Sequence, residues 1–267
     1  MLPAPAGADA PELSVVLPCF EEQGSLPALI AELRAVLGGL RQRYEIVCVD
    51  DASGDGTADV VRRLATAAPE LRLLRHTRRC GQSAALVTGL RAARGAILLT
   101  LDADGQNDPA DLPRLLAELH AGADAACGVR VQRHDGWLRR ASSRVGNAFR
   151  DVVTGVKVRD AGCALRALRR ECLYELPVFN GLHRFIPTLL RLQGFTVVEV
   201  PVGHRPRRAG VSKYGVGNRA LRGLVDCFAM RWLARRLPPA RRVLAEPTAT
   251  PATPPVRDTA AAQVLRR

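Results

Sequence analysis

Apolar positions along the chain fall into two alternating patterns. Leu13–Leu17 is a short apolar run closed by Pro18, which reads as a buried strand entering a turn. From Ser25 to Gln42, Leu26, Leu29, Ile30, Leu33, Val36, Leu37 and Leu40 recur at helical spacing. Tyr44–Val49, Leu71–Arg75, Ala96–Leu101, Ala123–Val129 and Thr196–Val200 read as further strands, with helices over Thr57–Ala67, Gly81–Ala93 and Pro109–Ala121 between them. Strands alternating with helices predict an α/β fold: a mostly parallel central sheet flanked by helices on both faces. Farther on, the pattern predicts a basic helix over Trp137–Val153 with Arg139, Arg140, Arg144 and Arg150. It also predicts a helix over Asn180–Leu192 that contains Pro187, and an amphipathic helix over Asn218–Arg236.

The expected organisation is a Pro/Ala/Gly-rich disordered start over 1–11, one domain over 12–214, a basic amphipathic helix over 215–237 and a disordered Pro/Ala/Thr-rich tail over 238–267. The basic helix suits either the membrane interface or ordinary packing on the sheet. No window reaches bilayer-crossing length, and the amino terminus lacks the cationic start and apolar core of a signal peptide.

Acidic residues gather where the strands end. Glu22, Asp50, Asp51, Asp102 and Asp104 all follow apolar runs, and in open parallel sheets ligands bind outside the carboxyl ends of the strands. The sharpest case is LLTLDADGQND over Leu98–Asp108. Side chains two apart in a strand share a face, which predicts that Asp102 and Asp104 converge. Two close carboxylates repel unless a proton or cation lies between them. Oxygen donors with open positions suit Mg²⁺ or Mn²⁺ beside substrate phosphates. The plain alternative is that one of the pair caps the next helix, but Asp108 before Pro109 already fills that position.

Charge divides the chain. Residues 1–129 carry −5, residues 130–236 carry +15 and residues 237–267 carry +3. A concentrated positive half implies an anionic partner: phosphate groups, anionic lipid or nucleic acid. Seven scattered cysteines without a CxxC or a Cys/His cluster imply a reducing compartment and no structural zinc. The stretch after the first strand, PCFEEQGS, lacks the GxGxxG of a NAD-binding fold. A P-loop is also missing, and no Ser-His-Asp or Cys-His arrangement is suggested.

From about Leu13 to Lys213 the chain resembles family 2 glycosyltransferases of the GT-A, Rossmann-like fold, within the polyprenyl-phosphate glycosyltransferase group. The segments that carry the resemblance are LSVVLPCFEEQGSLPALI, IVCVDDASGDGT, GQSAALVTGL, LLTLDADGQNDP, DAGCALRALRRE and RAGVSKY, in that order. DAGCALRALRRE is most similar to the formamido-arabinose transferases of that group.

The resemblance implies that Pro18, Phe20 and Glu22, with Asp50 and Asp51, bind the nucleotide, Asp50 through the base. Phe20 stands where the family usually has Tyr, and Glu21 where it has Asn. Asp102 and Asp104 flank the sugar diphosphate, and Asp104 with Gln106 ligates Mg²⁺ or Mn²⁺. Arg130 and Arg140 match positions that receive the acceptor phosphate, and Arg207 and Lys213 match a mobile loop that closes over the diphosphate. In a chain with 37 Arg and two Lys, one of the two Lys falls in that motif. Asp160 stands where many members place a catalytic base; orienting Arg side chains is the equal alternative.

The implied reaction is inverting, metal-dependent sugar transfer from a UDP- or GDP-linked donor to a polyprenyl (undecaprenyl-type) phosphate, at the cytoplasmic face of the cell membrane. Membrane contact would be peripheral or supplied by a separate anchoring partner, and no nucleic acid is expected. The competing readings are a soluble glycosyltransferase acting on a hydroxyl acceptor, which needs a general base, and a non-catalytic protein that binds anions or membranes.

Overall fold

The computed structural model of the protein describes residues 10–131, 146, 148–174, 176–206 and 217–236. Its strands are β1 (Leu13–Cys19), β2 (Tyr44–Asp50), β3 (Leu71–Arg75), β4 (Ile97–Thr100), β5 (Ala125–Arg130), β6 (Arg166–Arg169) and β7 (Val197–Val202). Its helices are α1 (Leu26–Gly38), α2 (Thr57–Ala65), α3 (Gln82–Ala92), α4 (Leu112–His120), α5 (148–154), α6 (Ile186–Leu192) and α7 (Gly217–Ala234). The strands form one sheet in the order β3-β2-β1-β4-β6-β5-β7.

Pairing is parallel for β1 with β2 and β4, for β2 with β3, and for β5 with β7; β6 alone runs antiparallel, between β4 and β5. The carboxyl ends of β1 to β5 and β7 therefore lie along one edge. The chain leaves β1 towards β2 on one side and comes back to add β4 on the other. This reversal opens a crevice at the carboxyl ends of β1 and β4.

The central strands are apolar on both faces because helices cover both. Adjacent residues take opposite sides: Val15 and Leu99 pack in the layer with Leu29, Leu33 and Leu115, whereas Val16 and Leu98 pack in the layer with Leu86, Leu90 and Leu189. On the second face α3 lies so close that a Cβ at Gly89 would stand 2.3 Å from Val16 Cγ1. A buried polar knot ties the edge opposite the crevice. Glu45 accepts from Ser14 Oγ at 2.7 Å, Arg72 Nη1 at 2.6 Å and Arg94 N at 2.6 Å. Burial alone would raise this carboxyl, but these donors outweigh it and hold it below its usual value.

Two helices predicted as continuous are broken at proline. The stretch from Pro109 is a 3-10 turn, Pro109–Asp111, followed by α4, because Pro113 has no N–H to bond the Pro109 carbonyl. The stretch from Asn180 divides in the same way into a turn over Leu182–Arg184 and α6. Pro187 cannot donate to the His183 carbonyl, which accepts from Arg166 Nη2 at 2.8 Å instead. Pro187 thus opens a helix rather than interrupting one. Of the predicted basic helix, residue 146 and α5 are described, and there Arg150 is buried, bonded to the Val158 carbonyl and paired with Asp151 at 2.7 Å. That arginine is structural and not part of a solvated or phosphate-facing row.

Candidate active site

The acidic motif does not reach the crevice by strand alternation. β4 ends at Thr100, so Asp102 and Asp104 lie beyond it in a turn that Gly105, at φ +74°, closes. The pair nevertheless acts as one electrostatic unit. Burial raises the Asp102 carboxyl, Asp104 raises it further, and it is pushed up to about 6 against the opposing pull of Arg166, Arg130 and the Gln82 amide. Gln82 Nε2 donates to Asp102 Oδ1 at 2.8 Å, and Gln106 N donates to Asp104 Oδ1 at 3.0 Å. Asp104 is 6% exposed, and Gln106 is half-buried with its Nε2 3.5 Å from His204 Nε2 and from the Arg205 carbonyl.

The β1–α1 turn closes one wall. Ser25 is buried, with its Oγ 2.8 Å from the Ala103 carbonyl oxygen and 2.9 Å from Glu22 Oε2, which share its one proton and tie the first turn to the acidic motif. Glu22 N donates to Thr57 Oγ1 at 2.9 Å. Pro18 occupies β1 opposite Val49, and Phe20 follows with the Arg79 guanidinium 4.0 Å above its ring. Asp50 is fully buried; its carboxylate accepts from Ser53 N at 3.0 Å and pairs with Arg75 Nε at 3.0 Å. Asp51 accepts from Cys80 N at 2.8 Å and Gly81 N at 2.7 Å, and its Oδ1 lies 2.8 Å from His76 Nδ1.

The opposite wall is basic. Arg130 ends β5, and its guanidinium grips Asp160 in a bidentate pair, Nε–Oδ2 at 2.7 Å and Nη2–Oδ1 at 2.8 Å. Arg130 N and Gly162 N also donate to that carboxylate, at 3.3 and 3.2 Å. Arg205 bridges Glu32 at 2.6 Å and Asp108 at 2.7 Å, and so fixes the chain leaving β7 against α1 and the acidic turn. Not every arginine of the positive half faces the crevice. Arg170 is buried on the carbonyls of Ala93 and Gly95, and Arg169 donates to those of Leu119 and Ala123.

The sequence places Glu22, Asp50, Asp51, Asp102 and Asp104 at this edge, and the resemblance adds Pro18, Phe20, Gln106, Arg130 and Asp160 to the site. All ten lie at or beyond strand ends there. Arg140, Arg207 and Lys213 lie outside the described residues. The reading missed Arg79 over Phe20, Gln82 on Asp102 and Ser25 under the turn. The signal for the first two was positional, since residues 76–82 follow β3 at the same edge.

Sheet order and acidic crevice together put the molecule in the GT-A class of α/β folds. The chain belongs to glycosyl transferase family 2, whose profile matches residues 14–176. It is 37% identical over 205 residues to the undecaprenyl-phosphate 4-deoxy-4-formamido-L-arabinose transferase of Aeromonas hydrophila, over 76% of this chain and 63% of that protein. It is 36% identical over 233 residues to the dodecaprenyl-phosphate galacturonate synthase of Rhizobium johnstonii, over 84% of this chain and 69% of that one.

Among solved structures it matches a mannosyltransferase from Pyrobaculum calidifontis in complex with GDP-Man and Mn²⁺. The TM-score is 0.58 and the identity 26%, over 89% of this chain and 68% of that one. It shares its fold with glucosyl-3-phosphoglycerate synthase from Mycobacterium tuberculosis, in complex with Mn²⁺, UDP and glucosyl-3-phosphoglycerate. There the TM-score is 0.64 and the identity 19%, over 85% and 81% of the two chains.

Proposed function

We propose that the protein moves a sugar from a nucleotide diphosphate donor to a polyprenyl phosphate, with inversion at the anomeric carbon and with a divalent cation bound. The observation that carries this reading is the meeting of opposite charges at one crevice: Asp102 feels both Asp104 and the guanidinium groups of Arg166 and Arg130. The names of the relatives, which act on undecaprenyl and dodecaprenyl phosphates, support the acceptor class.

Two carboxylates and an amide oxygen are the donor set that Mg²⁺ or Mn²⁺ takes, and burial together with the neighbouring Asp104 raises the Asp102 carboxyl. Asp104 and Gln106 would hold the ion. When bound, it supplies charge stabilisation for the departing nucleoside diphosphate. Phe20, backed by Arg79, offers an apolar face to the nucleotide base beside Pro18, Glu22, Asp50 and Asp51. Asp102 faces the sugar side. Arg130 orients the acceptor phosphate, and the resemblance assigns Arg140 to the same phosphate and Arg207 and Lys213 to the diphosphate.

A phosphate oxygen is already ionised near neutral pH, so the nucleophile needs no strong base. Asp160, engaged on Arg130 through both carboxylate oxygens, is accordingly a positioning residue. That engagement disfavours the hydroxyl-acceptor alternative, which requires the same carboxylate as a base.

The lipid acceptor calls for a membrane contact, and α7 offers one. Val225, Phe228 and Trp232 are 60%, 59% and 59% exposed, with Arg231, Arg235 and Arg236 among them. Cys227 and Met230 face inward, and Asp226 pairs with Arg184 at 2.9 Å. Apolar and aromatic groups interleaved with Arg suit a bilayer surface rich in anionic headgroups. Among the described residues no helix is long and apolar enough to cross a membrane. All seven cysteines are free thiols, which supports the cytoplasmic face.

The test is transfer of labelled sugar from UDP- and GDP-linked donors to undecaprenyl phosphate carried in vesicles. Lipid-linked product that requires Mg²⁺ or Mn²⁺, and forms faster in anionic than in neutral vesicles, is the expected result. Labelled product only on a hydroxyl acceptor would favour the alternative.

A further inference from the structure

Beside the base end of the crevice, three side chains of different donor chemistry meet. The ligand atoms of Asp51, His76 and Cys80 all lie within 4.8 Å of one another, and no other such set of three His, Cys or carboxylate groups occurs among the described residues. They come from two segments. Asp51 follows β2, while His76 and Cys80 lie in the loop from β3 to α3. The geometry points to a Zn²⁺ site with Asp51, His76 and Cys80 as protein ligands and a water in the fourth position.

Donor chemistry separates this set from the Asp102/Asp104 pair. An imidazole, a thiolate and one carboxylate suit Zn²⁺, whereas an all-oxygen set suits Mg²⁺ or Mn²⁺. Zinc bonds of about 2.0–2.3 Å put tetrahedral ligand atoms roughly 3.3–3.8 Å apart. The Asp51–His76 contact is already 2.8 Å, so the ion would spread that pair slightly and draw the sulfur in. Cys80 has the freedom to move, being the one exposed thiol of the seven. It also gives the ion a path from solvent.

The surroundings fix the other two ligands. Asp51 is buried, and although burial raises its carboxyl, the N–H groups of Cys80 and Gly81 and the His76 ring hold it below its usual value. His76 Nε2 lies 2.9 Å from Thr88 Oγ1. A hydroxyl both donates and accepts, so Thr88 serves either ring tautomer. With zinc on Nδ1, the ring proton sits on Nε2 and donates to Thr88, the outer partner that metal-bound histidines usually have. Binding then converts the Cys80 thiol to thiolate and releases its one proton to solvent. The ion would staple the loop that carries Arg79 over Phe20 to the end of β2.

The test uses the full-length protein with Co²⁺ and Zn²⁺ alone. Cobalt should give a thiolate-to-metal charge-transfer band that stoichiometric zinc abolishes. Cys80→Ser should remove the band and weaken zinc binding by more than the roughly 10–100-fold that loss of an outer partner costs, while Thr88→Val should fall within that range. Zinc should raise the melting temperature of the native protein but not that of Cys80→Ser, whose exposed position leaves folding intact. Asp104→Ala should keep the band. Absence of the band in the native protein, its persistence in Cys80→Ser, or its loss in Asp104→Ala would overturn the assignment.

Discussion

Replacing Asp104 by alanine is expected to lower metal-dependent sugar transfer by roughly 10³-fold, since the charge stabilisation that a bound cation provides at a leaving diphosphate is commonly the largest single catalytic contribution. The fold should survive. Asp104 sits in a turn beyond β4, and the hydrogen bond that its Oδ1 accepts from Gln106 N contributes about 1 kcal/mol. Circular dichroism and thermal melting should therefore match the native protein while turnover collapses. Asp104→Asn separates the two roles, because the amide oxygen still accepts from Gln106 N but lacks the charge. Native-like turnover in either variant would remove Asp104 from the metal site.

The second large effect concerns the basic wall. Arg130→Ala should remove the bidentate pair made to the Asp160 carboxylate, 8% exposed, at a cost of up to roughly 3–5 kcal/mol in stability. Asp160→Asn is gentler, because the amide oxygen still accepts from one of the two N–H groups, Arg130 N or Gly162 N, that bond the carboxylate. It should nonetheless cut turnover by roughly 10²-fold by loosening the phosphate-orienting guanidinium. Three measurements distinguish positioning from base catalysis. The loss should appear partly as a raised KM for the lipid phosphate, with donor affinity unchanged. The pH–rate profile should keep its acidic limb. The double variant Arg130→Lys/Asp160→Asn should be little worse than the poorer single one, since the two residues act as a unit. Disappearance of the acidic limb in Asp160→Asn, with the acceptor KM unchanged, would make Asp160 a base and favour a hydroxyl acceptor.

Periodicity made most of the sheet readable. Strands that are apolar on both faces, such as β1, leave a run of Leu and Val that only a covered strand accommodates, and the helices between them force parallel pairing. The reversal of β6 was invisible to that logic. It depends on long-range pairing with β4 and β5, which is a tertiary matter.

The site was legible as a set of residues and less so as geometry. Asp104 acts on the Asp102 carboxyl, but from a turn held by Gly105 and not through strand pleating. Arg166, Arg169 and Arg170 read as part of a positive field, yet two of them cap buried carbonyls, and Arg166 both bonds the His183 carbonyl and acts on Asp102. Composition counts charges without telling which ones the fold consumes. The engagement of Asp160 on Arg130 leaves no trace in the sequence, because a bidentate grip is a matter of two distances. His76 and Arg79 lie on a loop whose pattern is simply polar, and Gln82 opens α3 just after it, so nothing in the periodicity marked them.

The most direct test of the central claim is calorimetric titration of the full-length protein with UDP- and GDP-linked sugars, with and without Mn²⁺. One nucleotide class should bind only when Mn²⁺ is present, and Asp104→Ala should lose that Mn²⁺-dependent binding. Donor binding that is indifferent to Mn²⁺, or no binding of either class, would contradict a cation held at Asp104 and Gln106.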